Sequence, residues 1–358
     1  MQTATSNGGV SLTSLSTELI HEIFFYFGRT RGAARLARVC RLLNALISPM
    51  LYRNLIIEIE SGKGVNNRYI RSLLLVGGPG ESARQDANLK YVRTFGVVGK
   101  VDTRAPPSTR SVVHPNTASF LQLILNRLSK DTLTSFIWDT DIVLNSEIQN
   151  TLIKNQTKIT SLAIYQHPDP ILSEPIPALI ILGMKSLTSI HIGGIQSIPQ
   201  LAATIRAVRR NSATLVHFGL SLCRHMREIV NKSTGVIGFY VVEADKDAEI
   251  TSFKTFPAIK SIHIDGIANW DNFVSKARLD GLELEAWKKV EQLNVELLGS
   301  NSNLFRKLQS YKVQPNSLTV GLDDEYLPEL RSYIENSIGL VEVCIRVKGP
   351  FDEDLPLD

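Results

Sequence analysis

Residues 159–164 read Ile-Thr-Ser-Leu-Ala-Ile, and residues 187–192 read Leu-Thr-Ser-Ile-His-Ile. Both follow one phrase, apolar-x-x-apolar-x-apolar, whose alternating second half has the period of a half-buried strand. Working outward, the phrase returns as Leu215-Val-His-Phe218-Gly-Leu220, Val236-Ile-Gly-Phe239-Tyr-Val241 and Ile259-Lys-Ser-Ile262-His-Ile264. Toward the N-terminus it reads Leu133-Thr-Ser-Phe136-Ile-Trp138, Val92-Arg-Thr-Phe95-Gly-Val97 and Ile70-Arg-Ser-Leu73-Leu-Leu75. Weaker copies start at Val290, Pro315 and Leu340. Most successive starts are separated by about the 20–29 residues of a leucine-rich repeat.

Amphipathic helical stretches lie between the phrases, at 117–128, 198–210, 303–311 and 325–337. Alternation of strand and helix at this period predicts an α/β fold, with a parallel sheet on the concave side of a curved solenoid and helices outside. No single unit buries its own apolar face, so neighbours must stack. The repeats resemble irregular leucine-rich repeats, expected over 58–349. The family's Asn or Cys after each strand is met only by Cys223, so its asparagine ladder is absent, and a mixed α/β domain with one large sheet is the competing fold. Residues 99–116, GKVDTRAPPSTRSVVHPN, are polar and proline-interrupted and read as a flexible insertion. Residues 350–358 read as an acidic tail, and residues 1–10 as a disordered start.

A different pattern occupies residues 15–55. Leu15, Leu19, Ile23 and Phe27 recur every fourth residue and share a helix face. Ser16 suits the N-cap and Glu18 the first turn, where the helix dipole favours an anion. A second stripe, Leu36, Val39, Cys40, Leu43 and Ile47, runs until Pro49, which is expected to end the helix. Some forty residues of short helix bury little apolar surface alone, so the module needs a partner in cis or in trans.

The order Leu15-x-x-Glu18-Leu19, Ile23-Phe24, Val39-Cys40-Arg41 and Pro49-x-Leu51-Tyr52-Arg53-x-Leu55 resembles an F-box, here over residues 11–57, followed by repeats as in fungal-type members of that family. The resemblance implies docking on a Skp-type adaptor, and through it on a cullin-based ubiquitin ligase. The adaptor contacts it implies are Leu15, Ser16, Glu18, Leu19, Ile23, Phe27, Leu36, Val39 and Cys40. Two positions depart from the family pattern: Ser16 stands where Pro is usual, and Leu42-Leu43 where a Trp often follows. Six Arg against two Glu over residues 11–55 give this segment a basic face suited to an acidic partner.

Composition narrows the classes. Net charge is only +4, from 39 basic and 35 acidic residues, which gives no reason to expect nucleic acid. No apolar run reaches the ~18 residues of a membrane span, and the first residues lack a signal-peptide pattern, so a cytoplasmic or nuclear protein is expected. Cys40, Cys223 and Cys344 lie far apart without metal-ligand spacing. Val76-Gly-Gly-Pro-Gly80 lacks the lysine of a phosphate loop, and no catalytic motif appears, so neither a cofactor nor an enzymatic activity is expected. His191 and His263 hold equivalent places in phrases three repeats apart. That predicts a separation of about 14 Å, too far for one metal ion.

The residues alternating with the buried ones should form the target surface. Tyr165, His191, Tyr240, His263 and Asp265 are its expected anchors, with Gly193, Gly219 and Ser221 leaving room beside them. The sequence thus predicts a substrate-recognition adaptor that performs no chemistry, whose F-box engages the ligase and whose repeats hold an unknown protein target. The alternative is a repeat scaffold whose helical hairpin only caps the solenoid.

Overall fold

The computed structural model describes residues 15–26, 31–60, 64–65, 88–100, 117–140, 142, 144–165, 180, 183–232, 256–267, 284–296, 303–323 and 327–348. The strand phrases become β3 (Thr94–Lys100), β4 (Ser135–Asp139), β5 (Ser161–Tyr165), β6 (Ser189–Ile195), β7 (His217–Leu222), β8 (Ser261–Asp265), β9 (Gln292–Glu296), β10 (Ser317–Asp323) and β11 (Glu342–Lys348). Two further strands, β1 (Asn54–Glu60) and β2 (Gly64–Val65), precede them. Together they form one open sheet in the order β11-β10-β9-β8-β7-β6-β5-β4-β3-β1-β2. All neighbours are parallel except β1 and β2.

In-register pairing stacks the phrases into rows. Phe95, Phe136, Leu162, Ile190, Phe218, Ile262, Leu293 and Leu318 form one row, each 3 % exposed or less. Val97, Trp138, Ile164, Ile192, Leu220, Ile264, Val295 and Val320 form the next, equally buried. Parallel neighbours need crossovers, and helices supply most of them. These are α4 (Thr117–Arg127), α5 (Ser146–Asn155), α6 (Ile198–Arg210), α7 (Arg224–Lys232), α8 (Asn303–Ser310) and α9 (Leu327–Glu335); a 3-10 turn, Leu284–Lys289, precedes β9. Their apolar sides, including Leu121, Ile148, Leu201, Met226, Phe305 and Tyr333, join both rows in one continuous core. One face of the sheet is therefore covered, and the other is open.

The missing asparagine ladder has a replacement. Before each strand, two successive backbone N–H groups donate to one carbonyl of the preceding repeat. Thr134 and Ser135 reach Arg93 O, Thr160 and Ser161 reach Thr134 O, and Thr188 and Ser189 reach Thr160 O. The series runs from Arg53 O to Val341 and Glu342 on Asn316 O. Thr134, Thr160 and Thr188 add their hydroxyls to the same carbonyls. The tie is made by backbone, so it needs no particular side chain after the strand.

Four expectations are corrected. The sheet begins at Asn54, before residue 58: Tyr52-Arg-Asn-Leu55-Ile-Ile57 is a further copy of the phrase, with Leu55 and Ile57 in register with Phe95 and Val97 of β3. Strand β3 runs to Lys100, so the first two residues of the expected insertion are strand; residues 101–116 lie outside the described residues, as do 1–10, 350–358 and the phrase at 70–75. The phrase at 236–241 also lies outside them, and β7 pairs directly with β8, where the sequence pattern predicts an intervening repeat. Pro49 does not end its helix: α3 (Arg41–Leu51) continues past it and closes with Tyr52 N–H on Ser48 O, 3.0 Å.

The N-terminal helices are α1 (Thr17–Tyr26), α2 (Arg31–Leu36) and α3. Leu19 N–H donates to Ser16 Oγ (3.4 Å), the cap expected of Ser16, while Cys40 Sγ caps α3 by accepting from Leu43 N–H. The turn before α3 separates Leu36 from Leu43, so the second stripe is split between two helices. Among the described residues, Ile20, Ala37, Leu43 and Ile47 form this module's buried apolar cluster, distinct from that of the sheet.

Candidate binding site on the open face of the sheet

Two positions of each strand face away from the helices. Register aligns Ala163, His191, Gly219, His263 and Asn294 in one open-face row, and Asp139, Tyr165 and Gly193 in another. Ser221, Asp265 and Glu296 continue that second row beyond a register shift in β6.

The glycines do not leave the face open. A Cβ on Gly193 would lie 2.3 Å from a Tyr165 ring carbon, and one on Gly219 would lie 2.5 Å from the His191 ring. Each aromatic ring instead leans across the neighbouring glycine. Tyr165 thereby reaches His191 Nε2 with its hydroxyl, and the two ring centroids lie 4.7 Å apart. His191 in turn crosses Gly219 to meet His263, also at 4.7 Å between centroids. The expected 14 Å separation is thus overturned for two reasons: the histidines are two strands apart, and the glycine between them lets the rings close the gap. Sequence spacing carried the strand positions but not the lean.

The ring cluster is electrically quiet at neutral pH. Burial raises the Tyr165 hydroxyl to about 12, with help from Asp139 and Asp265. Burial lowers His191 to about 4, and His263 adds to the shift. His263 is lowered too, first by burial and then by Arg346, while Glu296 opposes. A protonated phenol beside a neutral imidazole gives an uncharged hydrogen bond between Tyr165 Oη and His191 Nε2.

Asp265 plays another part than the one expected. At 7 % exposure it is buried beneath the face, so it is a positioning residue and not a contact. Its Oδ2 accepts from Ser221 Oγ at 2.6 Å and from Arg227 Nη2 at 2.7 Å, and Arg227 Nε donates to Leu222 O at 2.8 Å. Burial raises the carboxyl; Ser221 and Arg227 pull it down, and Glu296 on the next strand pushes it up again. The signal for Arg227 lay in Gly266, whose φ of +84° suits glycine and whose absent Cβ would sit 2.5 Å from Arg227 Nε. Tyr240 lies outside the described residues. Among the described residues, no three His, Cys, Asp or Glu side chains are grouped to hold a metal ion.

The other set of expected site residues lies on the N-terminal helices. Leu19 and Val39 expose 49 % and 68 % of their surface, and Ser16 and Glu18 are exposed. Leu15, Ile23, Leu36 and Cys40 are half-buried, and Phe27 lies outside the described residues. Leu42, absent from the expected set, is 48 % exposed. Arg35 and Arg38 stand exposed near Val39 in the chain. The chain matches no family model and no curated protein. No helix among the described residues is long and apolar enough to cross a membrane.

Proposed function

We propose that the chain is a substrate-recognition adaptor, whose N-terminal helices engage a Skp-type adaptor of a cullin ubiquitin ligase and whose open sheet face binds a protein target. The observation that carries this reading is the exposure of Leu19, Val39 and Leu42 on a small helical module. Isolated apolar side chains on a surface need no explanation, but three on one small module fit a helix-binding partner. The order of F-box landmarks supports the same partner, and the exposed Arg35 and Arg38 favour an acidic one. A hairpin that only capped the sheet would share the sheet's core, and the separate clusters weigh against that alternative.

On the target side, Tyr165, His191 and His263 present a pre-packed, uncharged aromatic ladder. Its rings are held by one another, so little side-chain freedom is lost on binding. In this reading the open face is the concave side, the chain performs no chemistry, and the ligase acts in the cytoplasm or nucleus. Pull-down of a Skp-type adaptor with the Leu19→Ala/Val39→Ala double variant tests the first half. Loss of adaptor with an unchanged melting temperature is expected; retention at the wild-type level would remove the ligase reading. Tyr165→Ala should release the captured target and keep the adaptor, whereas Lys307→Ala, on the helix-covered side, should keep both.

A further inference from the structure

The last strand ends the sheet differently from every strand before it. Its neighbours bury their apolar rows, yet Val343, Ile345 and Val347, in register with Leu318, Val320 and Leu322, expose 42 %, 43 % and 47 %. Ile338 and Val341, just before the strand, expose 79 % and 87 %. Strand β11 is also the sheet's edge. Among the described residues it therefore offers an apolar row and a line of backbone donors and acceptors with no neighbouring strand, the combination that invites another strand.

The pattern of the strand says which one. Glu342, Cys344 and Arg346 alternate with the apolar residues and are exposed on the open face. A second copy, paired antiparallel about a two-fold axis through Cys344, sets Glu342 opposite Arg346 of the second copy and Arg346 opposite its Glu342. The same register sets Val343 opposite Ile345 and Val341 opposite Val347. A two-fold axis normal to the sheet keeps each face on its own side, so the valines and isoleucine meet apolar partners, Glu342 meets Arg346, and Cys344 meets its own copy. Ser317 Oγ already donates to Glu342 Oε2 at 3.0 Å, which holds the carboxylate upright on that face. We infer that β11 is an isologous dimerisation strand, joining two sheets edge to edge through a second copy of this chain.

This surface borders the open-face site through Arg346, which also acts on His263, but its test does not depend on either site described above. Light scattering of the full chain at micromolar concentration should give about twice 39.7 kDa. Ile345→Lys, a change at an exposed position, should weaken self-association at least ~10-fold. Directly opposed residues in an antiparallel pair lie within disulfide reach. Oxidation by copper–phenanthroline, which takes up the two electrons while two thiol protons leave, should therefore link Cys344 to Cys344 of the second copy, and Cys344→Ser should abolish the link. A monomer throughout the concentration range, or a dimer untouched by Ile345→Lys, would overturn the proposal. A dimer lost with Ile345→Lys but never linked through Cys344 would overturn the register.

Discussion

The N-terminal helices and the repeat sheet solve the problem of burial in opposite ways. In the sheet each phrase hands its apolar row to the next, so the core is as long as the array and includes Trp138 and Trp287. Among the described residues the helices gather Ile20, Ala37, Leu43 and Ile47 in a cluster of their own and leave Leu19, Val39 and Leu42 in water. A region that completes its own core reads as scaffold. One that cannot reads as half of an interface. In the adaptor reading proposed above, that contrast separates the scaffold from the part that engages a partner.

The largest expected effect breaks the sheet alone. Trp138 is 1 % exposed, and its indole N–H donates to Ile142 O at 2.8 Å. Trp138→Ala should cost about 3–5 kcal/mol, read as a lower denaturation midpoint of the main transition. Ile20→Ala, equally buried at 2 %, should leave that transition in place. It should instead raise hydrogen exchange only in residues 15–51. If both changes shift one common transition equally, the two regions are a single folding unit.

Next is the ion pair beneath the open face. Removing one partner of a buried pair costs roughly 3–5 kcal/mol, and the residual exposure of Arg227 brings Arg227→Gln nearer to ~2–3. The variant leaves a buried Asp265 carboxyl whose pKa rises further, so the folded state holds a proton that the unfolded state has lost. The deficit should therefore grow as pH rises above the ordinary aspartate value in urea titrations.

The histidine ladder gives the opposite slope. His191 titrates near 4 in the folded protein and near its ordinary 6.5 when unfolded. Between these values the unfolded chain binds the extra proton, so stability is full above 6.5 and falls as pH drops toward 4. The loss should be about 2 kcal/mol after allowing for partial exposure, and His191→Phe should flatten that part of the curve. Gly219→Ala should cost less, ~1–2 kcal/mol, because the His191 ring swings away from its new methyl. Its sharper signature is a His191 pKa moved back toward 6.5, measured by NMR.

The order of these effects reflects what the sequence carried. The strand phrases were legible because side chains alternate with a period of two and stack in register, so one phrase predicts its neighbours. Strand β1 escaped because its phrase, Tyr52-x-x-Leu55-x-Ile57, starts at the cap of α3 and reads as the end of the helical motif, and Pro49 misled because a helix already formed around it tolerates one missing N–H near its last turn. The contact between His191 and His263 was illegible for a different reason. A glycine reads as empty space, and only the structure tells whether a neighbouring ring fills it. Asp265 was found by its place in the phrase, but its role was misread because Arg227 reaches it from a helix, outside the strand pattern.

The smallest stability effect carries the most functional weight. Leu19→Ala and Val39→Ala remove exposed side chains and should each change stability by less than ~0.5 kcal/mol. The decisive measurement is calorimetric titration of a purified Skp-type adaptor into the full chain and into the Leu19→Ala/Val39→Ala variant. Specific binding by the first, weakened at least ~30-fold in the second at unchanged melting temperature, is the predicted result. Absence of binding by the unaltered chain would contradict the adaptor reading.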